Sequence, residues 1–233
     1  MKNVPYGAWC SYVDKIFKKF DVCGDVLDLA CGTGTMAYKM AKKGYNIIGV
    51  DNSADMLSEA NFKKYKLGAD SGLIMLIKQD MLKLDLYGTV AAAYSTCDTL
   101  NYLLTEEDFL AALKNVALFL EMGGVFIFDL KTEETFRDIG NKMYKDTLDD
   151  GGSYEWKNEY KNGINTYMLN FTTKENGTFA EIHHQRPYRL DVVLQLLKEA
   201  NFTAYATDNY TDSPPTKESR RITYVCERVG NFT

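Results

Sequence analysis

Residues 26–34 read Val26-Leu27-Asp28-Leu29-Ala30-Cys31-Gly32-Thr33-Gly34, an apolar run that carries one acid and breaks into a glycine-rich turn. A strand that stops at such a turn and is followed by helical spacing is how an open α/β sheet offers its backbone to a nucleotide-like ligand. Gly32 and Gly34 bring no Cβ to block that approach. Asp28 narrows the ligand, because a carboxylate at the strand end repels a pyrophosphate and suits a cationic group.

Outward from this turn the chain alternates. Residues 5–20 set Val13, Ile16, Phe17 and Phe20 at helical spacing, so an amphipathic helix precedes the first strand. Residues 36–43 predict a helix closed by Gly44, and residues 46–50 a second strand that ends at Asp51. Ser53 then caps a helix to about residue 66. Apolar runs at 73–77 and 90–94 predict a third and a fourth strand, the first before Asp80 and the second before Ser95-Thr96-Cys97-Asp98. Thr105 with Asp108 and Leu104 with Phe109 are a capping-box-like pair and a hydrophobic staple, which start a helix that Gly123-Gly124 should stop. Residues 125–129 make a fifth, densely apolar strand, as expected where helices cover both faces. The fold class expected is α/β, a Rossmann-like seven-stranded, mainly parallel sheet with helices on both faces.

Residues 154–186 break this pattern. Tyr154, Trp156 and Tyr160 alternate with Glu155, Lys157, Glu159 and Lys161, which is strand periodicity with one aromatic face. Asn162-Gly163 and Asn176-Gly177 are hairpin dipeptides, so three antiparallel strands form an inserted β-meander. Helical spacing of Leu190, Val193, Leu194 and Leu197 resumes the α/β pattern, followed by strands near 202–210 and 222–227. The chain divides into residues 1–131 as a ligand-binding core, 132–186 as a β-rich insertion over the acceptor side, and 187–233 as the rest of the core sheet.

The totals exclude several classes. A formal charge of −5 over 233 residues disfavours a nucleic-acid partner. No apolar run reaches the roughly 20 residues that span a bilayer, so no membrane partner and a cytoplasmic location are expected. Five widely spaced cysteines without a Cys-x-x-Cys pair signal neither a disulfide framework nor a zinc site, and no metal is expected.

Three strand-end acids carry the chemistry. Asp28 suits an amino group, Asp51 ribose hydroxyls, and Asp80 an adenine amino group. Alone, each is better explained as a cap or a turn residue; in series after successive strands they describe one ligand. The rival is a dinucleotide, since residues 32–37 fit Gly-x-Gly-x-x-Gly/Ala and Asp51 lies about 20 residues on. Asp28 and Asp80 have no place in that pattern. The absence of Lys and Arg from residues 30–37 also disfavours a phosphate cradle.

With these residues in view, the segment 27–34 resembles motif I of the class I S-adenosylmethionine-dependent methyltransferases. Residues 49–57, 79–81, 97–102, 123–129, 183–188 and 221–224 extend the likeness to a bacterial small-molecule branch, similar to amino-sugar N,N-dimethyltransferases and glycine/sarcosine-type enzymes. The resemblance implies S-adenosylmethionine as cofactor, held by Asp28, Ala30, Gly32, Gly34, Asp51, Asn52, Asp80, Met81, Thr96 and Cys97. It implies methyl transfer to a nitrogen or oxygen of a small molecule by in-line displacement, which needs a positioned nucleophile and no metal or covalent intermediate. The branch has a Tyr-Asp-containing segment upstream of the stretch that matches Val4-Pro5-Tyr6 and Trp9. Here Tyr6 and Trp9 are left to cover the donor.

On the acceptor side the expected residues are Asp98, Asn101 and Arg186, with His183 as general base. His183 and His184 point to opposite faces of a strand, so they cannot share a metal and at most one faces the acceptor. The aromatic stripe is a mini-core or a contact in a homodimer before it is a substrate platform. Two alternatives stand beside the small-molecule reading: an RNA-modifying methyltransferase, and a non-catalytic protein that binds S-adenosylmethionine or a nucleotide.

Overall fold

The computed structural model describes residues 4–66, 72–147, 151–173 and 177–230. In chain order the elements are α1 (Tyr6–Lys19), β1 (Asp25–Leu29), α2 (Thr35–Ala41), β2 (Asn46–Asp51), α3 (Ala54–Lys64), β3 (Ile74–Lys78), β4 (Val90–Ser95), α4 (Glu106–Phe119) and β5 (Leu120–Lys131). They continue as α5 (Glu133–Ile139), β6 (Met143–Thr147), β7 (Ser153–Lys161), β8 (Ile164–Thr173), β9 (Gly177–Gln185), α6 (Leu190–Glu199), β10 (Phe202–Asp208) and β11 (Arg221–Arg228). Short 3₁₀ turns lie at Met81–Lys83 and Thr99–Tyr102.

Seven strands form one sheet in the order β10-β11-β5-β4-β1-β2-β3, with β11 antiparallel to both its neighbours. The other four, β6 to β9, form a separate antiparallel sheet in chain order. The direction of winding reverses between β1 and β4, and at such a switch point the loops leaving the strand ends part to make a crevice.

Side-chain alternation along each buried strand feeds two core layers. Leu27, Leu29, Phe126 and Phe128 pack with Phe109, Leu113 and Val116 of α4 and Val193 and Leu197 of α6. Val26, Tyr94, Val125 and Ile127 pack on the other face with Val13 and Phe17 of α1 and Met36 and Met40 of α2. Phe128 and Tyr224 stack across β5 and β11 with centroids 4.8 Å apart. Each such side chain, fully removed from water, contributes about 1.5–3 kcal/mol.

Two expectations about elements need correction. Helix α4 ends at Phe119, and β5 starts at Leu120, before the glycine pair. A Cβ on Gly124 would lie 2.8 Å from the carbonyl oxygens of Ala91 and Glu121, and the β4–β5 register shifts between Val90 and Ala92. The glycines therefore mark a bulge in a strand, where backbones approach closely. The insertion has four strands where three were expected, because β6 precedes the aromatic hairpin. The Asn162-Gly163 turn joins β7 to β8 with φ of 53° and 76°, both positive as a two-residue hairpin demands. Asn176 of the second dipeptide lies outside the described residues.

Candidate functional site

The turn after β1 is built from left-handed residues: Ala30, Gly32 and Gly34 have φ of 58°, 54° and 68°. At Gly34 the space is closed as well, since a Cβ would meet that of Ala60 at 2.8 Å. The turn thus packs hard against α3. Asp51, at the end of β2, organises both: its Oδ2 accepts from the Gly32 N–H at 2.7 Å and its Oδ1 from the Ser53 N–H at 2.8 Å. A phosphate cradle offers these turn N–H groups to its anion, and here a carboxylate already takes the first of them. This arrangement disfavours a pyrophosphate more directly than Asp28 does. A carboxylate has about four lone-pair sites, so Asp51 keeps capacity for hydroxyl donors.

Between the strand ends and the four-stranded sheet lies a cavity of about 1030 Å³. That is at the upper end of small-molecule sites, about 300–1,000 Å³, and leaves room for a second molecule beside a nucleoside-sized one. Of the expected cofactor residues, its wall holds Ala30, Gly32, Asp51, Asn52, Asp80, Met81, Thr96 and Cys97. Asp80 caps the short turn that follows it by accepting from the Leu82 N–H at 3.0 Å. Tyr6 reaches in from α1, its hydroxyl 3.4 Å from Cys97 Sγ. Burial raises the Cys97 thiol above its ordinary value, so it is a thiol and not a thiolate near neutral pH.

Tyr102 and His183 also line the cavity, and their rings meet edge to face at 5.8 Å. Burial pushes the Tyr102 hydroxyl up to about 12, with the Asp98 charge adding to the effect. His183 Nε2 lies 3.1 Å from Glu181 Oε2. His184 points away on the other face, exposed, with Nδ1 3.1 Å from Thr166 Oγ1.

Several expected site residues lie outside this wall. Asp28 is fully buried behind it, accepting from the Tyr94 hydroxyl at 2.9 Å. Burial lifts its carboxyl to about 7, so it is no fixed negative charge at the strand end. Gly34 faces α3. Trp9 is buried, stacked on Tyr210 at 4.9 Å with the Arg221 guanidinium over its ring, so Tyr6 alone of the pair reaches the cavity. Asp98 is spent on Lys131 at 3.0 Å, Arg221 at 2.8 Å and the Gln185 amide at 2.8 Å. Burial by itself would raise the Asp98 carboxyl, but the two cations outweigh it and hold it below the usual range. Asn101, fully buried, accepts from the Lys131 N–H at 2.9 Å and donates to the carbonyls of Lys131 and Arg186. Arg186 turns to the Leu104 carbonyl and the Glu106 carboxylate, beside a separate hollow of about 420 Å³. Asp98, Asn101 and Arg186 hold loops together, and none of the three lines the cavity.

The structure adds a residue that no local signal in the sequence announced. Lys63 of α3 enters the wall beside the glycine turn, so the cation-free stretch 30–37 is not cation-free in space.

Comparison with known proteins identifies the family. Residues 26–124 match a family model described as a methyltransferase domain. A protein of Geobacillus sp. (strain WCH70) named "Putative methyltransferase GWCH70_2453" is 30% identical over 98% of this chain and 95% of its own. A glycine/sarcosine N-methyltransferase of Halorhodospira halochloris is 26% identical over 80% of this chain and 68% of its own. The crystal structure of an S-adenosylmethionine-dependent methyltransferase from Clostridium acetobutylicum superposes with a TM-score of 0.88 at 27% identity, covering 98% of this chain and 94% of that one. The chain belongs to the S-adenosylmethionine-dependent methyltransferases, with S-adenosylmethionine as its methyl donor.

Proposed function

We propose that this methyltransferase transfers its methyl group to a nitrogen or oxygen of a small molecule, with donor and acceptor side by side in the cavity of about 1030 Å³. The observation that carries the reading is the polarity of that cavity. Asp51 and Asp80 stand at its strand-end side, and Tyr102 and His183 at the side of the four-stranded sheet.

Asp51 accepts the ribose hydroxyls, Asp80 the adenine amino group, and Thr96 and Cys97 flank the methyl group. Tyr6 covers the donor. The acceptor's lone pair attacks the methyl carbon in line as the C–S electrons return to sulfur, so the sulfonium becomes a neutral thioether. His183 takes the proton that the acceptor sheds, an effect worth about 10²–10⁴ in rate. Residues 132–186 act as the acceptor-side cover, and residues 1–131 with 187–233 as the donor-binding core. A net charge of −5 favours a metabolite over a nucleic acid, and the relative named for glycine and sarcosine points the same way.

The test is S-adenosylhomocysteine release from S-adenosylmethionine over a panel of amines and hydroxyl compounds, with bulk tRNA as a separate arm. Turnover with at least one metabolite and none with tRNA is expected. The reverse result makes the protein an RNA-modifying enzyme, and donor binding without turnover on anything makes it a sensor.

A further inference from the structure

We propose that Lys63 is a positioning residue for donor binding: it clamps the glycine turn in the shape that seats S-adenosylmethionine. Its ammonium donates to the Thr33 carbonyl at 2.7 Å, to Thr33 Oγ1 at 2.9 Å and to Thr35 Oγ1 at 2.8 Å. An ammonium has three N–H donors, and all three are committed to one turn. Lys63 is the one lysine or arginine in the cavity wall among the described residues.

Helix electrostatics do not explain this placement. The turn leads into the N-terminus of α2, where the macrodipole disfavours a cation. Asp51 fastens the turn at the Gly32 N–H, but at its far end Gly34, the N-cap of α2, supplies no side-chain capping bond. Helix α3 takes over that duty with two residues three apart, which share one face. Ala60 closes on Gly34, and Lys63 reaches Thr33 and Thr35. Partial burial lowers the Lys63 ammonium from its ordinary value, as expected for a charge held in the wall and not in bulk water.

The clamp has a consequence beyond its own contacts. The Gly32 N–H holds Asp51, so a displaced turn disturbs the ribose side of the donor as well as its amino-acid side. The inference rests on the donor lying in this cavity, as proposed above.

Calorimetric titration of the full chain with S-adenosylhomocysteine and with 5′-methylthioadenosine, which lacks the amino-acid part, tests it. For Lys63→Met the dissociation constants of both ligands should rise by a similar factor, about tenfold, as for the loss of charge-assisted hydrogen bonds. Thermal melting of the unliganded variant reports separately on folding. Thr35→Ala leaves the lysine in place and should weaken both ligands by about threefold, which covers the case in which Lys63→Met does not fold. The double variant should lose less than the product of the two factors, since both delete the same bond. Affinities within twofold of wild type in Lys63→Met overturn the inference. So does a loss confined to S-adenosylhomocysteine, which would make Lys63 a direct counter-ion of the carboxylate. If the unaltered chain itself does not bind S-adenosylhomocysteine, the donor site is at fault and not the clamp.

Discussion

Arg221 of β11 donates from Nη2 to Asp98 Oδ1 at 2.8 Å, and so ties the last strand of the chain to the loop that follows β4. Its Nη1 donates to Asp129, a buried carboxylate that also accepts from the Asp98 N–H at 3.0 Å and the Tyr210 hydroxyl at 2.5 Å. Lys131 and Gln185 complete the ring around Asp98. The two sheets thus meet at one buried charge cluster, one residue from Cys97 in the cavity wall, with Trp9 of α1 packed under the Arg221 guanidinium.

Removing one member of a buried pair leaves the other uncompensated, at a cost of about 3–5 kcal/mol. Asp98→Asn should therefore destabilise the chain by that order in urea unfolding. Arg221→Met should cost a similar amount, and the double variant clearly less than the sum. Additive losses would show that the two side chains do not act as a unit.

Asp28 predicts a pH dependence of the opposite sign to an ordinary paired carboxylate. Its folded value of about 7 lies above its unfolded value of 3.8, so between these limits the folded state binds the extra proton. Its contribution is favourable at low pH and fades as pH rises through 7, at up to about 1.4 kcal/mol per pH unit. Relative to Asp28→Asn, the unaltered chain should gain stability as pH falls from 8 to 5, measured by paired denaturant melts. A gap that stays constant with pH would contradict the burial argument.

Cys97 stands in the cavity wall, whereas Cys23 is exposed. Saturating S-adenosylhomocysteine should slow alkylation of Cys97 by at least about tenfold while leaving Cys23 unchanged, as peptide mass spectrometry resolves, the scale set by about 90% occupancy of the site. Equal protection of both thiols would point to a global effect of the ligand.

Asp51 enters the cavity wall from the end of β2 and His183 from β9 of the other sheet, so their variants should separate binding from chemistry. Asp51→Ala loses the acceptor for the Gly32 and Ser53 N–H groups and should raise the donor dissociation constant by about 10–100-fold, the loss of charge-assisted hydrogen bonds. His183→Ala should leave that constant within about twofold and lower turnover by about 10²–10⁴ once an acceptor is known. Unchanged turnover would remove His183 from the chemistry.

Much of this fold is legible because its signals are local. The β1 and β2 runs, the Ser53 and Thr105 caps and the strand-end positions of Asp51 and Asp80 each follow from a few adjacent residues. Strand β6 was not legible, because all five of its residues are exposed and no apolar alternation marks it. Gly123-Gly124 has two physical meanings, helix stop and strand bulge, and only the backbone of Ala91 decides between them. The places of Asp98 and Asn101, outside the wall that Thr96 and Cys97 line, were hidden for a related reason. An acid or amide beside a site looks the same in sequence whether it faces the ligand or an ion pair, and the partners of Asp98 lie 33, 87 and 123 residues away, at Lys131, Gln185 and Arg221. Lys63 was invisible on the same ground, since its acceptors on Thr33 and Thr35 lie 30 and 28 residues earlier.

A crystal structure of the chain with S-adenosylhomocysteine bound tests most directly whether one cavity serves both donor and acceptor. The account predicts the ribose hydroxyls on Asp51, the adenine beside Asp80 and Met81, and the sulfur directed past Thr96 and Cys97 toward the space in front of Tyr102 and His183. A ligand bound elsewhere, or one whose sulfur faces away from His183, would contradict it.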